Sequence, residues 1–201
     1  MSCATEIEID FQKEGGRATS NKKSDTDLSL KSENFSTIVY RNNGENFRPQ
    51  DWNRLRTIAE GNPDEEKIGF FGVGFYSVFS VCEEPMVISG DHVLAFKWVK
   101  DQLRTMFGDS KNQAKDNKWT EFVFDLRSHV PLPEVTPFGR FLANAITFTR
   151  NVISVDILVC GRPVLKIRKT LRNKHTASFF ETQEMAKYVC VRVRVRVRVC
   201  V

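Results

Sequence analysis

Three glycines, Gly69, Gly72 and Gly74, stand at GxxGxG spacing in IleGlyPhePheGlyValGlyPheTyrSerValPheSerVal (68–81), directly ahead of an apolar helical run. Without a Cβ the backbone turns sharply there and lets a bulky anion come close. Free N–H groups at the start of the following helix, with its positive dipole end, suit a phosphate. The spacing is neither the GxGxxG dinucleotide fingerprint nor GxxxxGK[ST]. On these residues alone, a glycine-assisted packing contact explains the pattern as well as an anion does. Two more positions matter. AsnAsnGly (42–44) is a turn signal after a β-rich run, and Thr120 opens TrpThrGluPheValPheAspLeu (119–126). Read singly, Asn42 is a turn residue and Thr120 a strand surface residue.

Other chemistry is thin. Five cysteines (Cys3, Cys82, Cys160, Cys190, Cys200) form no CxxC pair, and the histidines His92, His129 and His175 are dispersed. That set reads as reduced thiols in an intracellular protein, cytoplasmic or nuclear, with no metal site.

The elements that must position these residues follow from hydrophobic period. AlaThrGluIleGluIleAspPheGln (4–12) alternates as a half-buried strand does. A polar run to about Ser36 reads as a solvated loop, and 36–41 as a short strand. Residues 49–60 place Trp52, Leu55, Ile58 and Ala59 on one helical face, with Asp51 favourable to the dipole. Apolar runs at 85–89, 92–99, 102–107 and 119–126 read as consecutive antiparallel strands. Residues 136–149 read as a helix with Thr136 as N-cap and Pro137 at its first position. Its Phe138, Phe141, Leu142, Ala145 and Phe148 form the expected core face. Residues 152–160 and 163–171 read as a hairpin around CysGlyArgPro. The fold class expected is α/β (α+β): a two-layer sandwich, mixed mostly antiparallel sheet with helices on one face.

With these segments in place, the chain resembles the GHKL, or Bergerat-fold, ATPases. Residues 68–77 are similar to the phosphate-binding glycine box of the ninety-kilodalton heat-shock chaperones, and LeuArgThrIleAlaGluGly (55–61) to the segment ahead of it. AsnAsnGlyGluAsnPheArgProGlnAspTrp (42–52) resembles the adenine-binding turn of sacsin-like members, and 119–126 the later Thr-containing strand. These motifs lie in family order over residues 42–126.

The resemblance implies ATP as the bound cofactor, with Mg²⁺ if the first family motif is supplied. It implies that Asn42 takes the adenine-reading Asp position, Gly44 permits the turn and Phe47 lines the base pocket. Gly69, Gly72, Val73, Gly74 and Phe75 would wrap the phosphates through backbone N–H groups. Thr120 would contact the base, directly or through water. Residues 60–68 would form a mobile lid with Lys67 near the phosphates. An amide at Asn42 still accepts from an amino group but is weaker than a carboxylate.

The family's first motif, a helix with a water-activating Glu and a Mg²⁺-binding Asn, should precede a strand such as 4–9. This chain starts at that strand, so the expectation is a fragment with no catalytic residue, lacking a positioned base worth about 10²–10⁴-fold. Residues 1–130 read as the partial ATP-binding domain, 131–175 as a helix and hairpin extension, and 176–201 as a tail. The implied function couples nucleotide binding to chaperone-like conformational change on an unidentified protein partner or client. The alternative is a nucleotide-independent interaction module or a non-functional fragment.

Charge points elsewhere. The chain of 201 residues carries 30 basic and 25 acidic side chains, a net of +5. Residues 162–201 hold 11 of the basic and only 2 of the acidic ones, so the remainder is net negative. ValCysValArgValArgValArgValArgValCysVal (189–201) is a strict alternation that suits an amphipathic edge strand. It is also what alternating-dinucleotide DNA would encode, and is read as an artefact of that kind. A nucleic-acid partner is not expected on a basic segment without aromatic interleaving. No apolar stretch reaches the roughly 20 residues a membrane span needs.

Overall fold

The computed structural model describes residues 4–14, 33–56, 74–110, 118–173 and 187–195, with only the backbone path for 171–173 and 187–195. The strands are β1 (Glu6–Gln12), β2 (Asn34–Asn42), β3 (Met86–Ser89), β4 (His92–Val99), β5 (Gln102–Asp109), β6 (Thr120–Pro131), β7 (Ser154–Val159), β8 (Arg162–Asn173) and β9 (Lys187–Val195). Helices α1 (Pro49–Arg56) and α2 (Val135–Thr147) and a short 3-10 helix (Phe75–Ser80) complete the described elements. The strands form one mixed sheet in the order β5-β4-β3-β6-β2-β1-β7-β8-β9. Of the neighbouring pairs only β1·β7 is parallel. A crossover must feed such a pair, and α2 carries the chain from β6 over β2 and β1 to β7.

Registers across the sheet put the helices on one face. Phe11 stands opposite Ile38 and Val159, Ile38 opposite Phe124, and Phe122 opposite both Tyr40 and Val87. Val87 faces Leu94, which faces Phe107. Side chains at partnered positions share a face, so the chain of partners from Phe107 to Ile167 defines one apolar surface. Two buried clusters sit on it. One gathers Phe11, Phe35, Val155, Ile157, Leu165 and Ile167 under Ile146 of α2. The other gathers Val87, Leu94 and Phe96 under Trp52 of α1, with Phe75 and Phe79 of the 3-10 helix packed against it. The fold is therefore the mixed, mostly antiparallel α+β arrangement with helices on one face.

Four expectations are corrected. The runs from 85 to 126 are strands, but β6 does not follow β5 across the sheet. It inserts between β3 and β2, because its apolar Phe122 and Phe124 need partners on both sides. The run after Gly74 is a six-residue 3-10 helix rather than a longer helix. Thr136 is not the N-cap of α2: Phe138 N–H already bonds the Glu134 carbonyl at 3.1 Å, so Glu134 is the cap and the helix begins two residues earlier. Pro137 still lies in the first turn, where a missing N–H costs nothing. The core face of α2 is also rotated from the one expected. Gly139 and Ile146 are buried and Phe138, Leu142 and Ala143 partly so, while Phe141 is 64% and Phe148 88% exposed. Aromatics spaced for one helical face lie on two because Gly139, which carries no side chain, is the residue that meets β8.

The expected first strand, the hairpin and the start of the first helix stand as read. β1 and the β7–β8 hairpin form where alternation placed them, and the hairpin turns through Cys160 and Gly161 at positive φ. α1 begins at Pro49, with Asp51 Oδ2 accepting the Arg48 N–H at 3.0 Å. Most of the polar run (15–32), the last third of the expected helix (57–60) and the end of the Val-Arg repeat (196–201) lie outside the described residues. β9, the described part of that repeat, pairs antiparallel with β8. Among the described residues no helix is long and apolar enough to cross a membrane, and no three His, Cys, Asp or Glu cluster as a metal site would need.

The opposite face is held by charge. Arg41 reaches Glu8, Asp10 and Glu121 at 3.8, 3.6 and 3.4 Å from its place on β2 between β1 and β6. Buried Asp10 also accepts the Gly161 N–H at 3.0 Å, tying β1 to the hairpin turn. Asp156 accepts from Lys166 at 2.8 Å and from Arg168. Burial alone would raise the Asp156 carboxyl, but hydrogen bonds from Arg168 and Lys166 and their charges hold it below its ordinary 3.8. Glu8 goes the other way. Burial outweighs Arg41, and the neighbouring Asp156, Asp10 and Glu6 add to it, leaving the carboxyl above 4.5.

Two outcomes are expected. Asp156→Asn should cost about 1–3 kcal/mol at neutral pH, the range for hydrogen bonds to a charged group, toward the lower end because Lys166 and Arg168 are partly exposed. A depressed carboxyl stabilises above its unfolded value and loses that contribution as pH falls through the folded one. Denaturation of the two proteins should therefore converge well below pH 3.8. A second outcome concerns α2. A Cβ at Gly139 would come within 3.1 Å of Leu165 Cδ2 in the core. Gly139→Val should destabilise by about 1–3 kcal/mol through overpacking, measured by urea melts.

Candidate functional site

At the end of β2 the chain separates two adjacent asparagines by the alternation of the strand. Asn43 ties the turn to β1: its Oδ1 accepts the Thr5 and Glu6 N–H groups at 2.8 and 2.9 Å, and its Nδ2 donates to Thr5 Oγ1 at 3.0 Å. Asn42 falls on the helix-bearing face, opposite Thr120 of β6. Its Oδ1 accepts the Gly44 N–H at 3.1 Å, a local side-chain turn that fixes the amide orientation. Gly44 is buried in that turn.

Three residues on, the Phe47 N–H donates to Ser89 Oγ at 2.9 Å. Ser89 Oγ in turn lies 2.7 Å from Thr120 Oγ1. Ser89 and Thr120 are 1% and 0% exposed, so the strand-surface alternative for Thr120 does not hold. The end of β2, the end of β3 and the start of β6 thus meet at one buried polar spot in an otherwise apolar face. Tyr40, two residues before Asn42, is also raised by burial and stays a neutral phenol.

Aromatic rings wall this spot. Phe47 packs edge-on against Trp52 (5.1 Å between centroids) and Phe122 (6.2 Å). Phe75 reaches the same Phe122 at 6.2 Å and Phe96 at 5.2 Å. The turn after β2 and the C-terminal end of the glycine segment therefore converge over one ring. Tyr76 Oη donates to the Leu55 carbonyl at 3.0 Å, fastening the 3-10 helix to α1. Trp52 Nε1 is buried with no acceptor among the described residues, its ring set edge-on to Phe107 at 5.4 Å.

Gly74 is the described part of the glycine segment. Its backbone is ordinary right-handed helical, and a Cβ there would meet nothing within 4 Å. Nothing among the described residues demands a glycine at 74. Lys67, Gly69, Gly72 and Val73, and the expected lid over 60–68, lie outside the described residues.

Of the sequence-expected residues, Asn42, Gly44, Phe47 and Thr120 come together around one point, and Phe75 joins them through Phe122. Ser89 was missed. It ends MetValIleSer before a glycine, a pattern with no functional signature, and only strand register puts it beside Thr120. Phe122 was read as a strand residue with no role. Among the described residues the spot holds no ionised side chain; Arg41, Glu121 and Glu8 lie on the other face of the sheet.

Comparisons with known proteins follow the same segments. A family model described as the Sacsin domain matches residues 4–135. The human protein Sacsin is 33% identical over 72 residues, which is 35% of this chain and 2% of that protein. This chain thus spans a small fraction of that relative's length. Among solved structures, the 43K ATPase domain of Thermus thermophilus gyrase B in complex with an aminocoumarin aligns at TM-score 0.42 and 16% identity, over 80% of this chain and 38% of that one. The topoisomerase IV ATP-binding domain of Francisella tularensis, in complex with a small-molecule inhibitor, aligns at TM-score 0.38 and 12% identity, over 78% and 71%. The family model runs from β1 through the turn after β2, the glycine segment and all of β6 to the first residue of α2, and on that match the chain belongs to the Sacsin domain family.

Proposed function

We propose that this chain is an ATP-binding domain of sacsin-like GHKL type, which couples nucleotide occupancy to a chaperone-like conformational change in a larger assembly. One observation carries the reading: Asn42 and Phe47 converge with Thr120, distant in sequence, and with Ser89 at a buried polar spot on the helix-bearing face. The site has hydrogen-bonding groups for a purine edge and aromatic walls for its faces, as ligand pockets combine few polar groups with apolar lining. The glycine segment, Gly69, Gly72, Val73, Gly74 and Phe75 with Lys67, takes the phosphates by resemblance. The open space at Gly74 supports it, because a position that needs no glycine for folding is free to need one for a ligand.

Residues of this chain would bind and orient the nucleotide. Thr120 and Asn42 hold the base edge, Phe47 shields it from water and Gly74 lets the phosphates approach. The described residues include no cluster of three potential metal ligands. The neutral Asn42 amide favours a second reading, a module that kept the fold and uses it for protein interaction without nucleotide.

Thermal melting with and without magnesium-ATP separates the two readings. Binding to the native state alone stabilises by RT ln(1 + [L]/Kd), about 2.7 kcal/mol at a hundredfold excess over Kd. Stabilisation that saturates with ATP is expected. Gly74→Asp should remove it while leaving the nucleotide-free melt within about 0.5 kcal/mol, as for an exposed surface change. No stabilisation at millimolar ATP would sink the nucleotide reading in favour of the interaction module. Stabilisation unaffected by Gly74→Asp, and by Gly72→Asp beside it, would place the nucleotide elsewhere.

A further inference from the structure

Resting on the nucleotide-binding reading above, we infer that the base pocket takes 6-oxo purines, guanine and hypoxanthine, about as well as adenine, and that Asn42 is the residue that sets this tolerance.

Asn42 Oδ1 is committed in orientation by the Gly44 N–H, since a flipped amide would set two donors against each other. That leaves one lone pair on Oδ1 and both hydrogens of Nδ2 available, and no described residue accepts from Nδ2. Asn42 therefore presents both an acceptor and a donor on the face it shares with Thr120. A carboxylate at this position would present acceptors alone.

The hydroxyl pair is equally ambivalent. Ser89 Oγ accepts the Phe47 N–H and shares one hydrogen bond with Thr120 Oγ1, in which either oxygen can be the donor. Two hydroxyls carry two protons, and one bond uses only one of them. The second proton has no acceptor among the described residues, although Ser89 and Thr120 are 1% and 0% exposed. Buried hydroxyls are ordinarily satisfied, so this proton marks a place for a ligand atom.

Adenine offers an amino donor at its 6-position and an acceptor at N1. The free Oδ1 lone pair takes the amino group, Ser89 donates to Thr120, and Thr120 donates to N1. Guanine offers an oxygen acceptor at its 6-position and a donor at N1. Asn42 Nδ2 then donates to the oxygen, and the hydroxyl pair reverses so that Thr120 accepts from N1. Each base leaves two protein hydrogens unpaired: both Nδ2 hydrogens with adenine, and one Nδ2 hydrogen with the Ser89 hydroxyl proton with guanine. Strong rejection of an analogue comes from buried groups of fixed sign left unpaired. Here Asn42 offers both signs side by side and the hydroxyl pair takes either, so neither base is rejected.

The test is titration calorimetry of the full chain with ATP, GTP and ITP, all with magnesium, on the wild type and on Asn42→Asp. ITP shares the 6-oxo edge of GTP without its 2-amino group, so it reads the edge alone and needs no variant. The wild type is expected to bind ATP and ITP with dissociation constants within about tenfold. Asn42→Asp keeps an acceptor for the Gly44 N–H and is expected to fold. It should shift the ratio toward ATP by at least tenfold, because its carboxylate meets the 6-oxygen with like polarity. ATP binding with ITP more than tenfold weaker on the wild type overturns this inference and leaves the nucleotide reading standing. An unchanged ratio in Asn42→Asp also overturns it. Absence of binding by all three nucleotides overturns both.

Discussion

Alternation along β6 is the constraint on which the rest depends. Thr120, Phe122 and Phe124 point to the helix-bearing face, and Glu121 to the other, where it meets Arg41. β6 is central, flanked by β2 and β3, so its register fixes what both neighbours present. A slip of one residue would bring Glu121 under the helices and send Phe122 out, exchanging the two faces. Phe122 is the ring that both Phe47 and Phe75 lean on. The same register that buries an apolar core brings Thr120 to Ser89 and Asn42. Fold and site are consequences of one pattern.

The polar spot is costly unless something satisfies it. Burying a hydroxyl without a partner costs about 1–3 kcal/mol in mutational terms, and this face is otherwise built from Phe, Val, Leu and Trp. The two hydroxyls at the meeting of three strand ends, with the Phe47 N–H drawn in, set this point apart from the core around it. The charged face has the complementary logic. Arg41 and Asp156 with its partners tie five neighbouring strands with charge on the face opposite the described pocket residues.

Much of this was legible in the residues because period-two alternation survives in short windows. β1, the hairpin of β7 and β8, and the Asn-Asn-Gly turn carry their own signatures. What was not legible depends on distant pairing. The place of β6 between β3 and β2 is a tertiary choice that apolar runs alone do not encode. Ser89 is one serine at a strand end until β6 arrives beside it. In α2, the expected face of Phe138, Phe141, Leu142, Ala145 and Phe148 obeys helical spacing as well as the observed one of Val135, Phe138, Gly139, Leu142 and Ile146 does, and the closer approach allowed by Gly139 decides between them. Net charge misled for a simpler reason. It is a sum dominated by residues 162–201, whereas the described groups at the junction of β2, β3 and β6 are neutral amides and hydroxyls.

On the proposed reading, nucleotide sits over the junction of β2, β3 and β6. Amide hydrogen exchange with and without magnesium-ATP tests it most directly. Slowed exchange is predicted in segments spanning 43–48, 74–80 and 119–123, with the Phe47 amide among those protected and little change in β8 or β9. Protection confined to the basic segment 162–195, or no change at 43–48 under saturating nucleotide, would contradict it.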